Sequence, residues 1–131
     1  MSATVADHAH SRRLAERTRS ARLIRDSIGL LSSKWAVDVL LALGDGTRRY
    51  HELLEDLSPI SEKVLTQTLR AMERDGLVVR RVHAEVPPRV EYALTEKGMA
   101  LVPIIDSMRA YGTEWLGGTC VEPPEAAVVA A

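Results

Sequence analysis

The stretch that decides the fold covers residues 58–94 and reads SPISEKVLTQTLRAMERDGLVVRRVHAEVPPRVEYAL. A helix is predicted over 62–75, because Ser61 is a good N-cap and Gly76 is typical of the position just past a helix end. The apolar residues of this segment recur at helical spacing and share one face: Leu65, Leu69 and Met72. The opposite face is polar, so only one side of the helix is expected to pack on a core.

A β-hairpin is predicted directly after this helix. Residues 77–83 and 89–94 are rich in Val and Arg, and they bracket a turn that contains Pro87-Pro88. Residues 50–57 are predicted to form a short helix, so two helices joined by a tight turn precede the hairpin. This order is typical of a winged helix-turn-helix. The predicted class is therefore α+β, mainly α with a small β-wing.

Stripes of apolar residues lie on both sides of this motif. A helix over 34–43 is apolar nearly all round and is expected at the centre of the domain. The two outer stripes lie on the first and last helices and comprise Ala21, Ile24, Ile28 and Leu31, then Leu101, Ile105, Met108 and Trp115. Narrow stripes on terminal helices suit packing against another helix, either of this chain or of a second subunit.

Length and composition predict one globular domain. The chain has 131 residues, 46% of them hydrophobic and 27% charged, which is ordinary for a folded protein. Residues 1–11 are expected to form a flexible arm, 12–118 the domain and 119–131 a flexible tail. The absence of a long apolar run or a secretory signal predicts a soluble, cytoplasmic protein without membrane contact. No catalytic motif, cofactor fingerprint or metal-ligand set is recognised, so the protein is not expected to be an enzyme or to bind a metal.

Charge is distributed unevenly along the chain. Residues 1–31 hold six Arg against three acidic residues, and residues 92–131 hold two basic against five acidic residues. The middle of the chain is balanced, so a basic surface there depends on how the segment folds. The helix over 62–75 carries Lys63, Gln67 and Arg70 opposite its apolar face, with Ser61 and Thr66 beside them. These residue types bind base edges or phosphates in DNA, although they are also common on solvated helix faces.

Other basic residues are candidates for DNA contact. Arg89 follows the two prolines, and a rigid tip with one Arg suits a minor groove; pairing with Glu91 is the alternative. Backbone contacts are predicted for Lys34, Arg48 and Arg49. Arg80 and Arg81 lie on opposite faces of the predicted hairpin, so at most one of them faces DNA.

The chain also carries a series of short motifs in a fixed order. They are Lys34-Trp35, Gly46-Thr-Arg-Arg-Tyr50, Ile60-Ser-Glu-Lys-Val-Leu-Thr66, Leu69-Arg70-x-Met72-Glu73-x-Asp75-Gly76-Leu77-Val78 and Val86-Pro-Pro-Arg-Val-Glu-Tyr92-x-Leu94-Thr95-x-x-Gly98. With them, residues 22–115 resemble the HxlR family of bacterial transcriptional regulators, near the MarR-type winged helix proteins. The resemblance implies a homodimer, joined through its first and last helices, that binds double-stranded DNA at a pseudo-palindromic operator. The predicted function is therefore transcriptional regulation, with repression as the expected mode.

Two departures from the family pattern stand out. The family often has Gly-Gly before Lys-Trp, where this chain has Ser32-Ser33, which is compatible if the backbone there avoids positive φ. Several redox-sensing members carry a Cys early in the first helix, and the matching position here is about Arg22. Thiol sensing by that route is therefore not expected. Cys120 is the single thiol, either incidental or able to form an intersubunit disulfide.

A small aromatic effector is a further candidate partner. Its pocket would lie near the first and last helices and be lined by Trp35, Met99, Met108, Tyr111 and Trp115, since Met and Trp can form an adaptable apolar cavity. Ordinary core and interface packing is the alternative explanation of these residues. The alternative to operator binding as a whole is a winged helix that serves as a protein-interaction module or as a ligand sensor.

Overall fold

The structure is a computed structural model, and it describes residues 4–117. This part of the chain forms five helices and a three-stranded sheet in the order α1, α2, β1, α3, α4, β2, β3, α5. The bounds are α1 Val5–Leu30, α2 Ala36–Leu43, β1 Arg48–Arg49, α3 Tyr50–Asp56, α4 Glu62–Arg74, β2 Val78–His83, β3 Arg89–Leu94 and α5 Glu96–Trp115. The predicted winged helix-turn-helix is confirmed, with α3 and α4 as its helix pair and β2–β3 as its wing.

Both ends of α4 are fixed by local interactions that its sequence predicts. The Ser61 hydroxyl accepts a hydrogen bond from the Val64 amide at 3.2 Å, which satisfies one unpaired donor of the first turn. At the other end, Gly76 has φ +75°, and the Leu77 amide donates to the carbonyl of Met72 at 2.9 Å. This is a Schellman ending, and the left-handed residue at its centre favours glycine. The chain therefore leaves α4 at a defined angle and enters β2.

The sheet is antiparallel, with β3 in the middle and the order β1-β3-β2. In the wing, Val78 lies opposite Leu94 and His83 opposite Arg89. Strand β1 pairs with the other edge of β3, so that Arg48 lies opposite Tyr92. The sequence predicts only a short extended segment over residues 47–49, and the structure shows Arg48 and Arg49 as a strand. Their pairing with β3 ties the start of α3 to the wing.

The core lies between α2, α3, α4, the base of the wing and the first half of α5. Its largest fully buried side chains are Val39, Leu40, Leu43, Leu53, Leu65, Leu69 and Leu77. They come from the three helices α2, α3 and α4 and from the residue just before β2. Helix α2 supplies three of them, as expected of a helix that is apolar nearly all round.

Two predicted boundaries at the N-terminal side differ from the structure. Helix α1 begins at Val5, so most of the expected arm over 1–11 is helical. The cause is a capping box: the Thr4 hydroxyl accepts from the Asp7 amide at 3.2 Å, and the Asp7 carboxylate accepts from the Thr4 amide at 3.3 Å. Helix α2 begins at Ala36 after a turn, not at residue 34. The Ser32-Ser33 pair is compatible with this turn, because no residue other than glycine within 4–117 has a positive φ.

The apolar stripe of α5 divides into two parts, which corrects one prediction. Leu101 and Ile105 are only 7% and 4% exposed and pack in the core of their own domain, so they are not available to a second subunit as predicted. The physical reason is that the first half of α5 lies against α2, which takes up the face these residues share. Beyond them, Met108 and Trp115 are exposed by more than half.

Helix α1 makes little contact with the rest of the domain. It contains 26 residues, and none of them is buried. Ile24 and Ile28 are 59% and 54% exposed, which is unusual for large apolar side chains on one stripe. Within residues 4–117, no helix combines the length and apolar character that crossing a membrane requires.

Candidate nucleic-acid interface

The outer face of α4 presents polar and basic side chains to solvent. Lys63, Gln67 and Arg70 are all exposed, as the sequence predicted. The opposite face is anchored by Leu65 and Leu69, which are at most 1% exposed. Because the buried face fixes the rotation of the helix, the three polar side chains form one surface. Their donors are suited to base edges and phosphates in a major groove.

Two other predicted site residues on this helix have structural contacts of their own. Ser61 caps α4, as described above. The Thr66 hydroxyl lies 3.0 Å from the Tyr50 hydroxyl, which also lies 3.2 Å from the carbonyl oxygen of Glu62. A carbonyl oxygen can only accept, so the single hydroxyl proton of Tyr50 is used in the bond to Glu62. The Tyr50 oxygen must then accept the second hydrogen bond, which the Thr66 hydroxyl donates. This hydrogen bond joins α4 to α3 and helps to position α4. Because Thr66 is half-buried, its side chain is less available to DNA bases than predicted.

Arg48 is fully engaged by acidic residues of α3. Its guanidinium lies 2.7 Å from the Asp56 carboxylate and 3.1 Å from that of Glu52. The hydrogen bond to Asp56, with the negative charge around it, raises the pKa of Arg48 above its ordinary value. A DNA phosphate would therefore have to compete with two carboxylates for this side chain. The ion pairs of Arg48 are better explained as a structural contact that holds β1 against α3.

Arg49 and Lys34 differ from Arg48 in being exposed. The Arg49 amide donates to Glu52 at 2.9 Å, which caps α3, while its side chain faces solvent beside His51. The Lys34 ammonium lies 5.5 Å from the centre of the Trp35 ring, a cation–π distance. Lys34 lies two residues before the start of α2, whereas it was predicted to be the first residue of that helix. Both side chains remain accessible to a phosphate.

Arg89 is held against the wing by two carboxylates. Its guanidinium lies 2.9 Å from Glu91 and 3.3 Å from Glu85, and Glu91 is also 3.1 Å from the imidazole of His83. The Nε–H of Arg89 is not aligned with either oxygen, so the contact to Glu91 is an ion pair without a hydrogen bond at that atom. The alternative that the sequence left open, pairing with Glu91, is the arrangement in this structure. Entry into a minor groove would require this pair to open.

The hairpin register decides between the two adjacent arginines of β2. Arg80 lies opposite Tyr92, whose side chain is 7% exposed, so both are on the face of the wing turned toward α4. Arg81 lies opposite Glu91, on the other face. The sequence predicted that at most one of them faces DNA, and in the structure Arg80 is the one that lies beside the exposed surface of α4.

An apolar groove separates α1 from α5. It has a volume of about 310 Å³. Its walls are Leu23, Ile24, Ser27, Ile28 and Leu31 from the α1 side and Leu101, Ile104 and Met108 from α5. Leu23 and Ile104 were not among the predicted interface residues, although both are large, apolar and close in sequence to the predicted stripes.

The residues of the predicted effector pocket are not gathered at one place. Met108 lines the groove between α1 and α5. Trp35 packs against the core of the domain. Met99, Tyr111 and Trp115 are exposed on α5. Trp35 belongs to another segment of the chain, and Met99 lies about 180° around α5 from Met108, whereas Met108, Tyr111 and Trp115 share one exposed face of the helix.

Comparison with known proteins identifies the family. Residues 30–119 match the family model described as HxlR-like helix-turn-helix. The chain belongs to the HxlR family. An HTH-type transcriptional regulator of Methanothermobacter thermautotrophicus is 43% identical over 86 residues, which cover 66% of each chain. The regulator YvaP of Bacillus subtilis is 37% identical over 90 residues, covering 69% of this chain and 83% of that protein.

Solved structures of similar proteins agree with the HxlR assignment. A transcriptional regulator of the MarR family from Enterococcus faecalis V583 is 38% identical, with a TM-score of 0.70, covering 74% of this chain and 88% of that one. The redox regulator HypR in its oxidized form is 35% identical, with a TM-score of 0.64, covering 70% and 94%. This HxlR-family chain is therefore an HTH-type transcriptional regulator. Its one cysteine, Cys120, and the predicted tail over 119–131 lie outside the described residues.

Proposed function

We propose that this HxlR-family protein binds a pseudo-palindromic operator as a homodimer and acts as a cytoplasmic repressor. The observation that carries the proposal is the exposed surface of Lys63, Gln67 and Arg70 on a helix whose other face is fully buried. In this proposal α4 enters the major groove and the wing enters the flanking minor groove. Repression follows from occupancy, because a dimer seated on an operator excludes other proteins from the same DNA.

The exposed apolar surface of the terminal helices supports the homodimer. Helix α1 has no buried residue, yet Leu23, Ile24 and Ile28 face the groove to α5. A second copy that inserts its own terminal helices there would remove these side chains from water in a two-fold symmetric contact. Two recognition helices would then lie about 34 Å apart, one turn of DNA.

An effector is the finer part of the proposal. A small aromatic molecule in the groove between α1 and α5 would occupy the space that the second copy needs. Such a ligand would change the spacing of the two recognition helices and release the operator. The lining supports an apolar ligand, since seven of its eight residues are apolar.

The direct test is fluorescence anisotropy with the DNA upstream of the protein's own gene and with a shuffled duplex, over a salt series. We expect tighter binding to the upstream DNA and an affinity that falls steeply as salt rises, because each neutralised phosphate releases counterions. Equal and weak binding to both duplexes, with a flat salt dependence, would instead support the winged helix as a protein-interaction module.

Substitution of Arg70 tests whether α4 contacts bases. Arg70→Ala should reduce discrimination between the preferred base and its competitors by about 1–3 kcal/mol at one operator position, because a bidentate contact to a base edge is lost. Binding to an operator and its single-base variants measures this. Lys97→Ala is a suitable control, since Lys97 lies at the start of α5, where its ammonium donates to the Asp75 carbonyl. If Arg70→Ala leaves all base preferences unchanged, Arg70 does not contact bases.

Substitution of Arg89 tests the wing. Arg89→Ala should weaken binding and flatten any preference for A·T pairs in the flanks, because a narrow minor groove attracts an inserted Arg. Glu85→Gln is the matched control: it removes one of the two charges that hold Arg89, so it should keep or strengthen DNA binding. Unchanged flank preference in Arg89→Ala would mean that Arg89 serves only to pair with Glu85 and Glu91.

A further inference from the structure

A cleft lies between the recognition helix α4 and the inner face of the wing. Its volume is about 490 Å³, and it is open to solvent. Three aromatic or hydroxyl side chains, one apolar residue and three charged residues line it: Tyr50, Thr66, Tyr92, Val90, Arg70, Glu73 and Arg80. The residues come from three separate segments of the chain, and only the packing of the wing beside α4 brings them together.

Arg80 is positioned in this cleft by the register of the hairpin. Val78, Arg80 and Val82 alternate along one face of β2, opposite Leu94, Tyr92 and Val90. At the base of the wing this face is part of the core, where Val78 is 2% exposed. Toward the tip the wing extends beyond the core, so that Arg80 is exposed while still directed to the α4 side.

The positive charge of the cleft exceeds the negative charge of its lining. Among residues 4–117, Arg70 and Arg80 form no ion pair, whereas Arg48 and Arg89 are each paired with two carboxylates. Glu73 lines the same cleft as their one acidic neighbour. Two guanidinium groups against one carboxylate leave a net positive charge. Guanidinium forks are well matched to the oxygens of a phosphate.

We propose that this cleft binds a backbone phosphodiester of DNA, with Arg80 as its principal contact and Arg70 beside it. The proposal rests on the DNA-binding function proposed above. A strand of the DNA backbone separates each major groove from the neighbouring minor groove. If α4 occupies the major groove and the wing occupies the neighbouring minor groove, the backbone strand between the two grooves passes between α4 and the wing. It then crosses the cleft. Arg80 therefore adds to affinity for any DNA, while bases are recognised elsewhere on α4.

The test compares Arg80→Ala with Arg81→Ala. Both remove one positive charge from adjacent positions of β2, so their effects on long-range attraction are nearly equal, and the difference between them reports the local contact. Affinities are measured for a shuffled duplex and for the upstream DNA between about 50 and 200 mM salt. One lost phosphate contact should lower affinity by about eightfold at 0.1 M salt and reduce the log–log salt slope by about one.

The expected result is that Arg80→Ala weakens binding to both duplexes by the same factor and lowers the salt slope, while Arg81→Ala leaves the slope near that of the wild type. Arg80→Lys should recover most of the slope, since it keeps the charge. Thermal unfolding checks that all three variants are folded. Equal effects of Arg80→Ala and Arg81→Ala, or a loss confined to one duplex, would overturn the assignment.

Two further outcomes are distinguishable. If the wild type binds neither duplex in a salt-dependent manner, the proposed function fails and the cleft is not a DNA site. An inorganic phosphate titration without DNA separates a free-anion site from a backbone site. A rise in Tm at millimolar phosphate that Arg80→Ala abolishes, together with DNA affinities that this variant leaves intact, would assign the cleft to a small anion and overturn the proposal.

Discussion

Gly98→Ala is expected to destabilise the domain by about 3 kcal/mol and to lower its Tm by roughly 10 °C. A Cβ atom at position 98 would overlap the carbonyl oxygen of Leu77 and approach the side chain of Leu94 at 3.3 Å. The first obstacle is backbone, which cannot rotate away as a flexible side chain could. Either α5 or the start of β2 would have to move.

The position matters because α5 joins the wing to the core at this point. The Thr95 amide donates to the same Leu77 carbonyl at 3.0 Å, and the Thr95 hydroxyl donates to the carbonyl of Gly76 and accepts from the Gly98 amide. The end of α4, the start of β2 and the start of α5 therefore share one hydrogen-bonded junction. Displacing α5 here breaks bonds that also hold the recognition helix and the wing in their relative orientation.

Gly112→Ala is the matched control in the same helix. Its added Cβ would meet only the end of the Leu116 side chain, at 4.0 Å. Alanine is the better helix former, so this variant should be unchanged or more stable by up to about 1 kcal/mol. Urea or thermal unfolding of both variants measures the contrast. Equal stabilities would show that α5 is not docked on Leu77 as closely as described.

Ile28→Glu is expected to convert the proposed dimer into a folded monomer and to weaken operator binding by at least a hundredfold. Ile28 is 54% exposed and lines the groove between α1 and α5. In a two-fold symmetric interface each substitution occurs twice, so two carboxylates would be buried without partners, at a cost of several kcal/mol. A monomer would also lose the added affinity of the second half-site.

The variant should stay folded, because no residue of α1 is buried in the domain. Light scattering coupled to size exclusion measures the mass, circular dichroism measures the fold, and anisotropy measures operator affinity. Ile28→Leu is the control, since it keeps the volume and apolar character and should preserve the dimer. A wild type that is monomeric at micromolar concentration, or an Ile28→Glu variant that remains dimeric, would contradict the proposed interface.

The local elements of this fold were predictable, because each is specified by residues close together in the sequence. The Ser61 cap, the apolar face of α4 and Gly76 together define the recognition helix within one residue. The hairpin strands also match, since β-branched residues and a Pro-containing turn are strong local signals. The start of α1 was missed because the Thr4–Asp7 capping box was not recognised ahead of a polar segment.

Helical periodicity also identified which face of each helix is apolar, but it does not say what covers that face. Leu101 and Ile105 share a stripe with Met108, yet the first two are core residues and the third is exposed. This difference in burial depends on how far along α5 the contact with α2 extends. The two helices are about 60 residues apart in the chain. Such contacts are chosen by the packing of the whole domain, and no local pattern encodes them.

The residues of the candidate interface likewise divide into those that the sequence predicts and those whose contacts depend on the tertiary structure. Residue types and spacing on α4 were enough to select Lys63, Gln67 and Arg70, since burial of the apolar face of the helix forces its polar face toward solvent. Only the tertiary structure decided the partners of the remaining polar side chains: Thr66 with Tyr50, Arg48 with Asp56, Arg89 with Glu91, and Arg80 toward α4. A polar side chain bonds to whichever group packing brings within about 3 Å, so its role follows from long-range geometry that the sequence alone leaves open.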